Sequence, residues 1–175
     1  MPELRINGVV EESIVDGPGL RFVVFTQGCP HGCPGCHNPE THDLSGGRRI
    51  DTETILAQFG QNPLLSGMTF SGGEPFLHAK ALAQLAEQVH ARGKTVIVYT
   101  GYTVEDLYVL AKTQAEVQAL LAQADTLVDG PYLEALREFD SGLRGSSNQR
   151  ILDRQTVKSL CRELATQEAH GPRAC

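Results

Sequence analysis

Leu20-Arg21-Phe22-Val23-Val24-Phe25-Thr26 is a β-branched and aromatic run that ends at Gly28, and the loop Cys29-Pro30-His31-Gly32-Cys33-Pro34-Gly35-Cys36-His37-Asn38-Pro39 follows at once. The first part reads as a buried strand and the second as a loop rich in glycine, proline and thiols. The same succession recurs downstream. Gly67-Met68-Thr69-Phe70-Ser71 runs into Gly72-Gly73-Glu74-Pro75, Thr95-Val96-Ile97-Val98-Tyr99 stops at Gly101, and Thr126-Leu127-Val128-Asp129 closes with Gly130-Pro131. Helical patterns lie between these strands. Residues 52–59 form one, with Asp51 as its cap. Residues 78–92 repeat Leu82, Leu85, Ala86 and Val89 at helical spacing and end at Gly93. Residues 104–110, 116–124 and 154–166 read as three more helices.

Strands alternating with helices predict parallel βαβ units. The glycine signals at 28–36, 72–75, 100–102 and 129–131 then share the C-terminal edge of the sheet, where parallel α/β folds carry their ligand site. Four strong strands are too few to close an eight-stranded barrel. The expected fold is α/β, an open, partial parallel β/α barrel whose exposed side suits a large substrate. One domain is expected over residues 1–175, with 153–175 as a helical tail.

Composition narrows the function classes. A formal net charge of −6 argues against non-specific binding to nucleic acid or an anionic membrane. No apolar run approaches the roughly 20 residues that span a bilayer. Met1-Pro2-Glu3-Leu4-Arg5 lacks the basic-then-apolar pattern of a signal peptide. Of five cysteines, three fall within eight residues, which reads as metal-binding thiols in a reducing compartment. The expected location is cytoplasmic.

The cysteine loop supplies three thiols and no fourth nearby. A structural zinc site takes four ligands, often as two Cys-x-x-Cys pairs. Cys33 and Cys36 make one such pair, and His31, His37 or His42 would have to complete the set. A [4Fe–4S] cluster is normally held by four thiolates. Cys161 lies beside Leu160 and Leu164 in a helical pattern and reads as a buried apolar thiol, while Cys175 is the last residue. A cluster here would therefore keep one iron free of protein. Gly72 and Gly73 let the backbone approach a ligand, and their carbonyls with the Glu74 carboxylate can accept hydrogen bonds from an ammonium. As plain structure the same residues are a strand-to-helix turn. Asp16-Gly17-Pro18-Gly19 is a tight turn, and Asp129 suits turn initiation before Gly130-Pro131. Arg144-Gly145-Ser146-Ser147-Asn148-Gln149 is too rich in side-chain donors for a simple linker.

Cys-x3-Cys-x2-Cys over 29–36 resembles the cluster signature of the radical S-adenosylmethionine (SAM) enzymes, and Ser71-Gly72-Gly73-Glu74-Pro75 resembles that family's Gly-Gly-Glu-Pro motif. Residues 13–22, around Asp16-Gly17-Pro18-Gly19, resemble the activating enzymes of glycyl-radical proteins. Tyr99-Thr100-Gly101-Tyr102, Leu127-Val128-Asp129-Gly130 and residues 144–149, in that order in a short chain, are similar to the activases of anaerobic ribonucleoside-triphosphate reductases. One departure is Gly35, where many members have an aromatic residue before the third cysteine. The resemblance spans residues 8–152.

It implies a [4Fe–4S] cluster on Cys29, Cys33 and Cys36, with SAM on the open iron. Gly35, Cys36 and His37 would face the adenine. Gly72, Gly73 and Glu74 would hold the amino group. Thr100 and Asp129 would sit beside the SAM carboxylate and ribose. No catalytic side chain is implied beyond the cluster and SAM. The implied activity is reductive cleavage of SAM, after which the 5′-deoxyadenosyl radical generates a glycyl radical on anaerobic ribonucleoside-triphosphate reductase. Reduced flavodoxin or ferredoxin would supply the electron. Three alternatives stay open: an activase of another glycyl-radical enzyme such as pyruvate formate-lyase, a small-molecule radical SAM enzyme, or a zinc or electron-transfer module.

Overall fold

The computed structural model describes residues 2–139, 142–169 and 171, so Cys175 lies outside the described residues. The chain begins with β1 (Glu3–Ser13), turns through residues 14–20 and pairs antiparallel with β2 (Arg21–Thr26), Val9 facing Val24. A long loop holds the cysteines and leads to β3 (Arg48–Asp51), antiparallel to the other side of β1, and to α1 (Thr52–Phe59). Asp51 caps α1 by accepting from the Glu53 amide at 2.8 Å, as its sequence position predicts. Then follow β4 (Gly67–Gly72), α2 (Ala79–Ala91), β5 (Thr95–Tyr99), α3 (Val104–Ala111), α4 (Ala115–Gln123) and β6 (Thr126–Asp129). Strand β7 (Arg150–Asp153) and α5 (Arg154–Ala169) complete the chain.

The strands form one sheet in the order β3-β1-β2-β4-β5-β6-β7. Strands β2, β4, β5 and β6 are parallel, with Arg21 opposite Gly67, Gly67 opposite Thr95 and Ile97 opposite Thr126. These are the four strands expected from sequence, and the sheet is open. Sequence reading missed the antiparallel strands β1, β3 and β7 that flank them. Among the described residues no helix is long and apolar enough to cross a membrane.

Period-two alternation sends two sets of side chains to two faces. Phe22, Val24, Met68, Phe70, Val96, Val98 and Leu127 are buried in one core with Leu82, Leu85 and Val89 of α2 and Val117 and Leu120 of α4. Each such side chain contributes about 1.5–3 kcal/mol on burial. The intervening residues face the opposite side. At the N-terminal end of the strands that side is plugged by Arg21, which is wholly buried. Its guanidinium donates to Thr69 Oγ1 at 2.8 Å, Thr95 Oγ1 at 2.9 Å, the Met68 carbonyl at 2.7 Å and the Thr95 carbonyl at 3.0 Å. Desolvation pulls its pKa down to about 10, so these four bonds are what make the buried charge tolerable. At the C-terminal end, Phe25, Ser71 and Tyr99 of the same face open onto a cavity.

Candidate cluster and cofactor site

The loops after β2, β4, β5 and β6 meet around a cavity of about 440 Å³. Cys29, Cys33, Cys36, His37, Gly72, Gly73 and Thr100 all line it. Glu74 and Asp129 lie immediately behind its wall, with Gly130 on the cavity side. Gly35 is turned toward Glu134, whose carboxylate carbon would be 2.6 Å from a Cβ at that position. Its φ of 70° lies in the left-handed region, so a side chain at this position is strained even if Glu134 moves aside.

The cysteine loop is folded back on itself. The Gly28 amide donates to the Thr41 carbonyl at 2.8 Å and the Cys29 amide to the His42 carbonyl at 3.3 Å. A Cys33–Cys36 turn closes at 3.2 Å, and the Asn38 amide points at Cys36 Sγ at 3.4 Å. All three thiols are free and half-buried. Burial pushes the Cys29 thiol up, and the Glu74 charge adds to this against amide donors from His31 and Gly32. Such a thiol waits for a metal to deprotonate it. Among the described residues no three His, Cys, Asp or Glu side chains converge as a single bound ion requires.

The β4 loop sits directly against the cysteine loop. The Gly73 amide donates to the Thr26 carbonyl at 2.9 Å and the Glu74 amide to the Gly28 carbonyl at 2.8 Å. A Cβ at Gly73 would stand 2.3 Å from the Gly28 carbonyl oxygen, so the two backbones approach this closely because residue 73 has no side chain. Glu74 is fully buried. It accepts from the Phe76 amide at 3.0 Å, the Thr100 hydroxyl at 2.9 and 3.0 Å and the Gly101 amide at 2.9 Å, with His31 Nε2 at 2.6 Å. Asp129 accepts from the Val104 amide at 2.8 Å and from Arg150 at 3.0 and 2.5 Å. Arg150 also holds Glu105 at 2.7 Å, and the two carboxylates raise its pKa.

Residues 131–149 supply the remaining wall. Tyr132 lies against the His37 ring at 4.8 Å, and Tyr99 Oη donates to the Leu143 carbonyl at 2.7 Å. Burial keeps the Tyr99 phenol protonated by pushing its pKa up. Arg144 pairs with Glu138 at 2.7 Å, and Gln149 Oε1 accepts from the Gly145 and Ser146 amides at 2.8 and 3.1 Å. Tyr99, Tyr132, Arg144, Gly145 and Gln149 all reach the cavity. So does His42, whose Nε2 is buried without a hydrogen-bond partner among the described residues, as is Tyr132 Oη. Sequence reading set residues 144–149 apart as too rich in donors for a linker, placed Tyr99 in a motif and His42 among candidate zinc ligands, and gave no place to Tyr132. A lone aromatic or histidine carries no spacing signal.

A family described as a 4Fe-4S single cluster domain matches residues 15–152. The class is therefore an iron–sulfur protein of the 4Fe–4S type. The anaerobic ribonucleoside-triphosphate reductase-activating protein of Vibrio cholerae is 38% identical over 148 residues, covering 79% of this chain and 90% of that one. Its counterpart in Salmonella typhimurium is 36% identical over 155 residues, covering 83% and 96%. The pyruvate formate-lyase-activating enzyme of Clostridium pasteurianum is 38% identical over 104 residues, covering 56% and 44%. The crystal structure of QueE from Escherichia coli overlaps 58% of this chain and 54% of its own at 22% identity and a TM-score of 0.46, a likeness too loose to carry an argument. This chain belongs to the family of anaerobic ribonucleoside-triphosphate reductase-activating proteins.

Proposed function

We propose that this chain is a radical SAM activase that generates a glycyl radical on an anaerobic ribonucleoside-triphosphate reductase. The observation that carries the reading is one cavity shared by three free thiols and the glycine turn after β4. Cys29, Cys33 and Cys36 hold the cluster and leave one iron to SAM. The residues fit such a pair of groups, since the three cysteines and the glycine backbone after β4 line the same space. A cluster held there by Cys29, Cys33 and Cys36 and reduced by flavodoxin or ferredoxin would supply the one electron needed for reductive cleavage of SAM, the chemistry by which a hydrogen atom would be taken from a partner glycine.

The protein's part is binding and orientation. The backbone of Gly72 and Gly73 borders the seat for the SAM amino group. Gly35, Cys36 and His37 form the adenine side, where Tyr132 braces the His37 ring. Thr100 borders the seat from the β5 loop. Glu74 and Asp129 serve from behind, because their carboxylate oxygens are engaged by protein donors. A formate-lyase partner is disfavoured, since the matching stretch covers 44% of that activating enzyme against 90% of the Vibrio cholerae reductase activase.

The test is anaerobic reconstitution with iron and sulfide, then SAM and dithionite, with 5′-deoxyadenosine measured. Wild-type protein releases it and Cys33→Ala does not. Equal release by both, or none by wild type, sinks the proposal.

A further inference from the structure

We propose that His31 is a positioning residue: its hydrogen bond to Glu74 fixes the cysteine loop against the SAM seat, so that Glu74 serves as a hub and not as a direct contact to SAM. The inference rests on the activase reading above. A carboxylate with no solvent exposure must have all its oxygens answered by donors. Glu74 draws those donors from three separate loops. Phe76 comes from its own turn, Thr100 and Gly101 from the loop after β5, and His31 from the cysteine loop.

The His31 ring has little freedom. It meets Tyr102 edge-on at 4.5 Å and lies flush on Gly101, where a Cβ would come within 2.4 Å of the ring. Its side chain is 17% exposed. His31 stands two residues after Cys29 and two before Cys33, so a fixed ring limits where both thiols can go. With Nε2 committed to Glu74 at 2.6 Å, the same atom is not offered to a metal. The consequence is a coupling between sites. The cysteine loop carries the cluster thiols and the β4 and β5 loops border the SAM amino group, and the His31–Glu74 bond joins all three beyond the backbone bonds at Gly73 and Glu74.

The experiment compares wild type, His31→Ala and His31→Gln after anaerobic reconstitution, each checked for folding by thermal melting. Three quantities are read: iron per chain, the SAM dissociation constant, and the change SAM makes in the paramagnetic resonance spectrum of the reduced cluster. His31→Ala is expected to keep wild-type iron, bind SAM about ten- to a hundredfold more weakly, as loss of a charge-assisted hydrogen bond implies, and show a diminished spectral change. His31→Gln, whose amide can still donate to Glu74, is expected to recover most of both. His31→Ala binding SAM within about twofold of wild type overturns the proposal, as does a His31→Gln no better than His31→Ala. Loss of iron from both folded variants also overturns it, because His31 would then hold the cluster itself. A wild-type protein that loads iron and binds no SAM overturns the activase reading, and this inference with it.

Discussion

At the scale of single residues, the site depends on what a side chain would obstruct as much as on what side chains supply. Gly73→Ala places a methyl 2.3 Å from a backbone oxygen of Gly28, and neither backbone can yield without parting the two loops. We expect the variant to lose about 1–3 kcal/mol of stability and to retain less iron. A thermal melt against wild type checks the first and an iron assay the second; an unchanged melt contradicts the close approach. The residues whose type is dictated by chemistry were legible in the sequence. Cys29, Cys33, Cys36 and Gly72 to Glu74 stand at the spacing the proposed work needs, and the structure sets them on or beside one cavity. Tyr132 was not legible, and the places of Tyr99 and His42 on the cavity wall were not either, although one stood in a motif and the other among candidate zinc ligands. They reach the cavity because distant segments return to it, and nothing local distinguishes them from other aromatics and histidines. The hydrogen-bond partners of Glu74 and Asp129 were hidden for a related reason. Sequence shows a carboxylate, but only packing shows that its oxygens are already bonded.

At the scale of elements, the four parallel strands were readable from their apolar runs and closing glycines, while β1, β3 and β7 were not. Strand β1 is mostly exposed and buries little besides Leu4, Ile6 and Ser13, so its charged residues masked the alternation. Strands β3 and β7 are four residues each with one buried side chain, Ile50 and Leu152, too short to show a period. The β7 edge is held instead by charge. Arg150 spans Asp129 at the end of β6 and Glu105 in the first turn of α3. Arg150→Ala would leave Asp129 buried and unpaired, at a cost of about 2–4 kcal/mol, read as a lower denaturation midpoint. The same bridge gives a signed pH dependence. Hydrogen bonding from Arg150 holds the Glu105 carboxyl below its ordinary value of 4.5. Its contribution is therefore complete above that value and is lost as pH falls below it through the lowered folded pKa. Wild type should lose stability to acid in that window, and Arg150→Ala should lose less. Parallel acid limbs for the two proteins would contradict the bridge.

At the scale of the whole molecule, the open sheet places every cofactor-facing loop on one edge and closes the other with buried Arg21. Helices α2 and α4 cover the face away from Phe25, Ser71 and Tyr99. The cavity stays open at its rim, where Val15 and Phe139 are 72% and 81% exposed. An activase needs such an arrangement, because its substrate is a backbone glycine carried by another protein. The most direct test mixes the reconstituted, reduced protein with SAM and anaerobic ribonucleoside-triphosphate reductase and looks for a glycyl radical by paramagnetic resonance. The account predicts the radical on the reductase with wild-type protein and none with Cys33→Ala. No radical on the reductase while SAM is being cleaved, or a radical on pyruvate formate-lyase alone, would contradict it.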